Sequence, residues 1–168
     1  MTINGTPLHP LIVHAAVVLV PLAALFAILY AVLPARRWQT RTPAAVLAVG
    51  AALAVQLASM TGDQLKEQLH GNAVLIATHE QWAGLLQGAM WVLAALMVIG
   101  WWALPHENPL PDHDHRQGVT ALATPLVLLL PAAAVAVMVL VVLTGDAGAR
   151  AVWHHGGGTS SATGRVQP

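Results

Sequence analysis

Two imidazoles, His14 and His79, lie within or at the edge of long apolar runs. An ionisable side chain there is costly to bury and marks a functional position by default. Placed on facing helices, the pair has the makings of bis-imidazole ligation of one haem b, with each ring's second nitrogen held by an acceptor. Two other readings stay open for the same residues: ligation of another metal, and a neutral imidazole hydrogen-bonded between helices with a structural role alone. His9 stands five residues before His14 and precedes Pro10, which suits the first position of a helix. His9, His70, His154 and His155, with Asp63, Asp146 and Glu80, make a second set of imidazoles and carboxylates able to bind copper or zinc.

Other chemistries are excluded or unsupported. The chain has no cysteine, which removes disulfides, thiolate catalysis, iron–sulfur clusters and covalent c-type haem. His79-Glu80 begins like a zinc-protease HExxH, but Ala83 stands where the second histidine is required. Asp112-His-Asp-His115, beside Pro109 and Pro111, reads as a solvated turn. No nucleophile is paired with a base and no glycine-rich phosphate cradle is present, so no independent catalytic activity is expected. Seven Lys plus Arg balance seven Asp plus Glu, leaving no basic field to neutralise nucleic-acid phosphates.

The elements that must position these histidines follow from composition. Of 168 residues, 57% are hydrophobic and 8% charged, with a mean hydropathy of +0.66. Soluble domains carry about 25% charged residues, so a lipid bilayer is the natural solvent for this chain. Apolar stretches at residues 11–33, 44–60, 82–104 and 119–143 are each long enough for a transmembrane helix, the second being short but adequate. Residues 1–10 then form an N-terminal segment, 11–155 an integral membrane four-helix bundle of the all-α class, and 156–168 a flexible tail. The first run exceeds a signal-peptide core and is preceded by no Lys or Arg, so it is expected to remain in the mature protein.

Arg36, Arg37, Arg41 and Arg116 fall in the loops that follow spans one and three, against Lys66, Arg150 and Arg165 on the other side. The positive-inside bias therefore places both termini outside the cytoplasm. Gly84 and Gly88 form a GxxxG in span three, and Ala and Gly recur through span two, which suits close helix packing.

An internal repeat brings the histidines together. Thr61-Gly62-Asp63 at the end of span two is echoed by Thr144-Gly145-Asp146 at the end of span four, and each half opens with a histidine-bearing helix. Two helices per unit return the chain to the same face, giving two parallel-repeat helical hairpins related by an axis along the membrane normal. His14 and His79 become symmetry mates facing a common axis, with the carboxylates and most other histidines at the same end. Gly62 and Gly145 are expected to end their helices in the left-handed conformation, with Asp63 and Asp146 capping short interfacial helices such as residues 63–70.

Pro7-Leu-His-Pro-Leu-Ile-Val-His14, the Thr-Gly pairs, His79 and the closing Val-Trp-His-His-Gly segment together resemble a bacterial family of small membrane proteins, domain of unknown function 2231. The resemblance runs from about Thr6 to Gly156. The family's usual aromatic and proline after the second histidine are replaced here by Ala15 and Ala16. It implies a bacterial inner-membrane location, and relatives joined to cytochrome-like modules imply redox work. The reading preferred from the sequence is a haem b electron-transfer protein, or the membrane subunit of a redox complex, ligated by His14 and His79. One alternative is a non-enzymatic metal- or proton-binding or transport protein using the histidine–carboxylate cluster. A structural subunit packing through Gly84 and Gly88 is another, with a redox partner protein or a homodimer as the associated partner.

Overall fold

Each apolar run forms a helix in the computed structural model, which describes residues 2–3, 6–66, 73–105 and 118–153. A two-residue antiparallel pairing of Thr2–Ile3 with Thr6–Pro7 leads into α1, Leu8–Val32. A 3-10 turn at Pro34–Arg36 connects it to α2, Arg37–Lys66; α3 is Ala73–Ala103 and α4 is Thr120–Trp153. The helices have 25, 30, 31 and 34 residues. At about 1.5 Å per residue each exceeds the ~30 Å hydrocarbon core, and all four are apolar enough to cross it.

The first apolar span, Leu11–Val32, agrees with its expected limits, whereas α2, α3 and α4 run beyond theirs, above all at the end of the bundle that carries both termini. Thr61-Gly62-Asp63 and Thr144-Gly145-Asp146 lie inside α2 and α4 and do not end them. A helical glycine costs about 1 kcal/mol relative to alanine, less than leaving several carbonyls unpaired at a membrane boundary, so the helices run on. Among the described residues the left-handed glycine is Gly118, with φ +58°, and it lies against the last turn of α3. A Cβ there would meet the Ala103 carbonyl at 2.6 Å, and the neighbouring Val119 N–H donates to that oxygen at 2.8 Å.

α1 packs closely on α2 and α3 on α4, while α2–α3 and α1–α4 contacts close a four-membered ring. The two hairpins are related in register as well as order. The buried residues Ala16, Val20, Ala23, Ala24 and Ala27 of α1 are matched 70 positions later by Leu86, Met90, Leu93, Ala94 and Met97 of α3. Ala44, Ala48, Ala52 and Val55 of α2 are matched 82 positions later by Leu126, Leu130, Ala134 and Val137 of α4. The first hairpin thus contributes alanine and valine to the core at these positions and the second mostly leucine and methionine, and together they form one buried cluster.

Polar contacts pin the bundle at two levels. At the loop end the Tyr30 hydroxyl donates to the Gly100 carbonyl at 2.6 Å, and Arg37, 6% exposed, donates to the Tyr30 and Ala31 carbonyls at 3.2 Å each. Arg37 thereby satisfies carbonyls that the end of α1 leaves without helical partners. Trp101 donates to Thr42 at 3.2 Å beneath the Arg41 guanidinium. Deeper in the bundle, Gln56 of α2 accepts from Gln87 and Trp91 of α3.

Candidate functional site

The terminal end of the bundle carries two matching imidazole joints. His9 lies seven residues before Ala16 and His79 seven before Leu86, so each is two turns along the core-facing stripe of its helix. His9 Nδ1 is 3.1 Å from the Ala58 carbonyl and 3.1 Å from Thr61 Oγ1; His79 Nδ1 is 3.0 Å from the Thr144 carbonyl. A carbonyl oxygen only accepts, so each neutral ring carries its hydrogen on Nδ1 and keeps a lone pair on Nε2.

A glycine one turn beyond each acceptor makes the approach feasible. A Cβ on Gly62, four residues after Ala58, would sit 3.2 Å from His9 Cε1. A Cβ on Gly148, four residues after Thr144, would sit 3.1 Å from both Cε1 and Nδ1 of His79. Both distances are inside ordinary carbon contact, about 3.5–4.0 Å. Each joint therefore combines imidazole, carbonyl and glycine, with Gly148 taking beside His79 the part that Gly62 takes beside His9; on the 82-residue register of the core, the acceptor and glycine in α4 lie one turn further along than those in α2, and a Cβ on Gly145 would meet nothing within 4 Å.

Threonines support the acceptors. Thr61 Oγ1 donates to the Leu57 carbonyl at 2.9 Å, which leaves its lone pairs toward His9, and Thr144 Oγ1 donates to the Leu140 carbonyl at 2.7 Å. Burial pushes the His9 pKa below 6.5, against an upward pull from its bond to Ala58, and the nearby His79 pushes it down further. His9 is therefore neutral at pH 7.

His14 does not occupy the expected position. It is exposed, on a stripe with Leu11, Val18, Leu22 and Leu25, and lies about 160° around α1 from Ala16. Its counterpart 70 positions on is Gly84, which also faces outward, whereas the counterpart of His79 is His9. His14 and His79 thus fail to face a shared cleft, and the inner faces just below His9 and His79 are filled by Ala16, Val20, Leu86 and Met90. The described residues do not fit a haem b held between His14 and His79. The reason is rotational: five residues separate His9 from His14, which turns the second ring about 140° away from the first.

Asp63 is exposed, Glu80 is half-buried, and exposed Asp146 is ion-paired with Arg150 one turn along α4. Among the described residues no group of three or more histidines and carboxylates is placed to hold a metal ion. His70, His154, His155 and the Asp112–His115 segment lie outside the described residues. Sequence reasoning overlooked Gly148, Ala58 and Thr144 as partners, and Gln56 and Gln87 altogether. The legible signal was the spacing from each histidine to the small or apolar residue seven positions later, shared by residues 9–27 and 79–97.

A family model for DUF2231, described as a predicted membrane protein, matches residues 5–161. No curated protein and no solved structure matches the chain.

Proposed function

This chain belongs to the DUF2231 family of predicted membrane proteins, and from that premise we propose that it is a non-enzymatic membrane protein that binds protons at the His9–His79 pair. The observation carrying this reading is the twin joint: two imidazoles, each held as the Nδ1–H tautomer by a carbonyl of the neighbouring helix, each keeping Nε2 as a base. Arg36, Arg37 and Arg41 at the opposite, loop end favour the cytoplasm for that end, so the imidazoles face the outer side of a bacterial cytoplasmic membrane.

Proton uptake has a mechanical consequence here. His9 joins α1 to α2, and His79 joins α3 to α4. Charging His9 sets a cation at the mouth of an apolar bundle, which weakens packing between the hairpins at that end. Among the described residues the other ionisable groups near this end are His14 on α1, Asp63 and Lys66 on α2, Glu80 on α3, and Asp146 with Arg150 on α4. Asp146 is already engaged by Arg150, so its charge is largely offset. An outer-side pH sensor or the proton-accepting mouth of a transport path is built from such an arrangement, with a two-state bundle as the element it biases.

The test is 15N NMR of the imidazoles in lipid nanodiscs between pH 8 and pH 4. His9 is expected to be the Nδ1–H tautomer at high pH and to titrate below 6.5, and His79→Gln is expected to raise its pKa. A His9 that titrates at the ordinary value, or is indifferent to His79→Gln, removes the reading.

A further inference from the structure

Gln56 and Gln87 place amide groups at a depth where no water is available to satisfy them. Gln87 is fourteen residues from Ala73 and sixteen from Ala103, so it lies about 20 Å from either end of α3. Gln56 Oε1 accepts from Gln87 Nε2 at 2.6 Å and from the Trp91 indole at 3.2 Å. That leaves the Gln56 amide N–H groups and the Gln87 carbonyl without a further hydrogen bond among the described residues. Both side chains are only partly buried, at the outward edge of the α2–α3 groove, and Trp91 beside them is 42% exposed. An unsatisfied amide group in hydrocarbon costs about 1–3 kcal/mol or more, so these groups call for a partner.

We propose that a second copy of this chain docks on the α2–α3 face, with the Gln56 and Gln87 amides of the two copies hydrogen-bonding across a two-fold axis. A carboxamide carries both donor and acceptor, so a pair related by a two-fold axis complements itself. A charged partner would find no counterpart, because residues 44–60 and 82–100 contain no Asp, Glu, Lys or Arg. The face also admits a close neighbour: a Cβ on Gly84 or Gly88 would meet nothing within 4 Å. The exposed positions of α4, by contrast, carry Leu128, Leu129, Val135, Val139 and Val142, bulky groups suited to lipid. The inference is independent of the proton-binding reading, because it involves neither histidine.

The experiment uses the purified full chain in lipid nanodiscs and liposomes, with subunits counted by single-molecule photobleaching. The chain has no cysteine, so single cysteines report proximity without background. A dimer is expected, with Gln81→Cys on α3 forming a disulfide across the interface and Val135→Cys on α4 forming none. The double variant Gln56→Leu/Gln87→Leu is expected to weaken the dimer by about tenfold or more. Gly88→Ile, which meets open space within its own chain, is expected to do the same while leaving the monomer folded. A monomer at every protein-to-lipid ratio overturns the proposal. So does a dimer that survives both variants, a dimer cross-linked through Val135→Cys in place of Gln81→Cys, or association only with a different protein.

Discussion

Replacing Gly148 by alanine, beside the same change at Gly145, isolates the imidazole joint. The two glycines are three residues apart in α4, so the gain in helix propensity is the same for both, about 1 kcal/mol in favour of alanine. At Gly145 the new methyl meets nothing within 4 Å, and the full gain is expected. At Gly148 the methyl lands 3.1 Å from both Cε1 and Nδ1 of His79. Relief to an ordinary contact of about 3.5 Å or more requires the ring to retreat by roughly half an ångström. That retreat stretches the 3.0 Å Nδ1–H bond to Thr144 toward the limit of a useful hydrogen bond. A weakened bond of this kind forfeits about 0.5–1.5 kcal/mol, which cancels the propensity gain. Gly148→Ala should therefore be near neutral while Gly145→Ala stabilises, a difference of about 1 kcal/mol, or about 2–4 °C in Tm for a chain of this size. Thermal unfolding in nanodiscs supplies the stability, and the 15N shift of His79 Nδ1 reports the bond. Equal stabilisation by both substitutions, with the His79 resonance unmoved, would refute the joint.

Stability should fall on acidification through His9. Its pKa in the folded chain lies below 6.5, so the unfolded chain binds the proton more readily; the contribution is complete above about pH 6.5 and is lost as pH descends through the folded value. Denaturant unfolding at pH 8 and pH 5 measures this, and His9→Gln should flatten the dependence. Tyr30→Phe removes a buried hydroxyl bond across the bundle, but the Gly100 carbonyl keeps its bond from the Leu104 N–H at 2.9 Å, so the loss should stay near ~1 kcal/mol in an unfolding titration. Arg37→Met should cost more, about 1.5–3 kcal/mol, because a charged donor leaves two carbonyls at the end of α1; Arg37→Lys should restore only part of it, as one ammonium replaces a two-armed fork. His14→Ala, on the exposed stripe, should leave the His9 titration unchanged, and a shift in it would show that His14 belongs to the site after all.

Much of the architecture was legible before any coordinates. Runs of apolar residues too long for a soluble core, with almost no charge, leave the bilayer as the available solvent and the helix as the form that satisfies the backbone there. The loops and the parallel pairing of two hairpins follow from the same pattern. Which imidazole faces inward was not legible, because a membrane helix is apolar on all sides and its composition scarcely marks the face that packs. Leu11, Val18 and Leu22 outside are as hydrophobic as Val20 inside, so His9 and His14 look equally plausible until neighbouring helices fix the rotation of α1. The Thr-Gly-Asp segments misled for a related reason: glycine favours a helix end when water can take the freed carbonyls, yet Gly62 sits inside α2 where the His9 imidazole needs the space, and Gly145 sits inside α4 with nothing within 4 Å of its missing Cβ. Sequence determined the solvent, the number of helices and the residue types able to do chemistry. Tertiary packing alone decided the rotation of each helix, and so assigned the paired imidazoles to His9 and His79 and placed the Gln56–Gln87 amides at an outward edge.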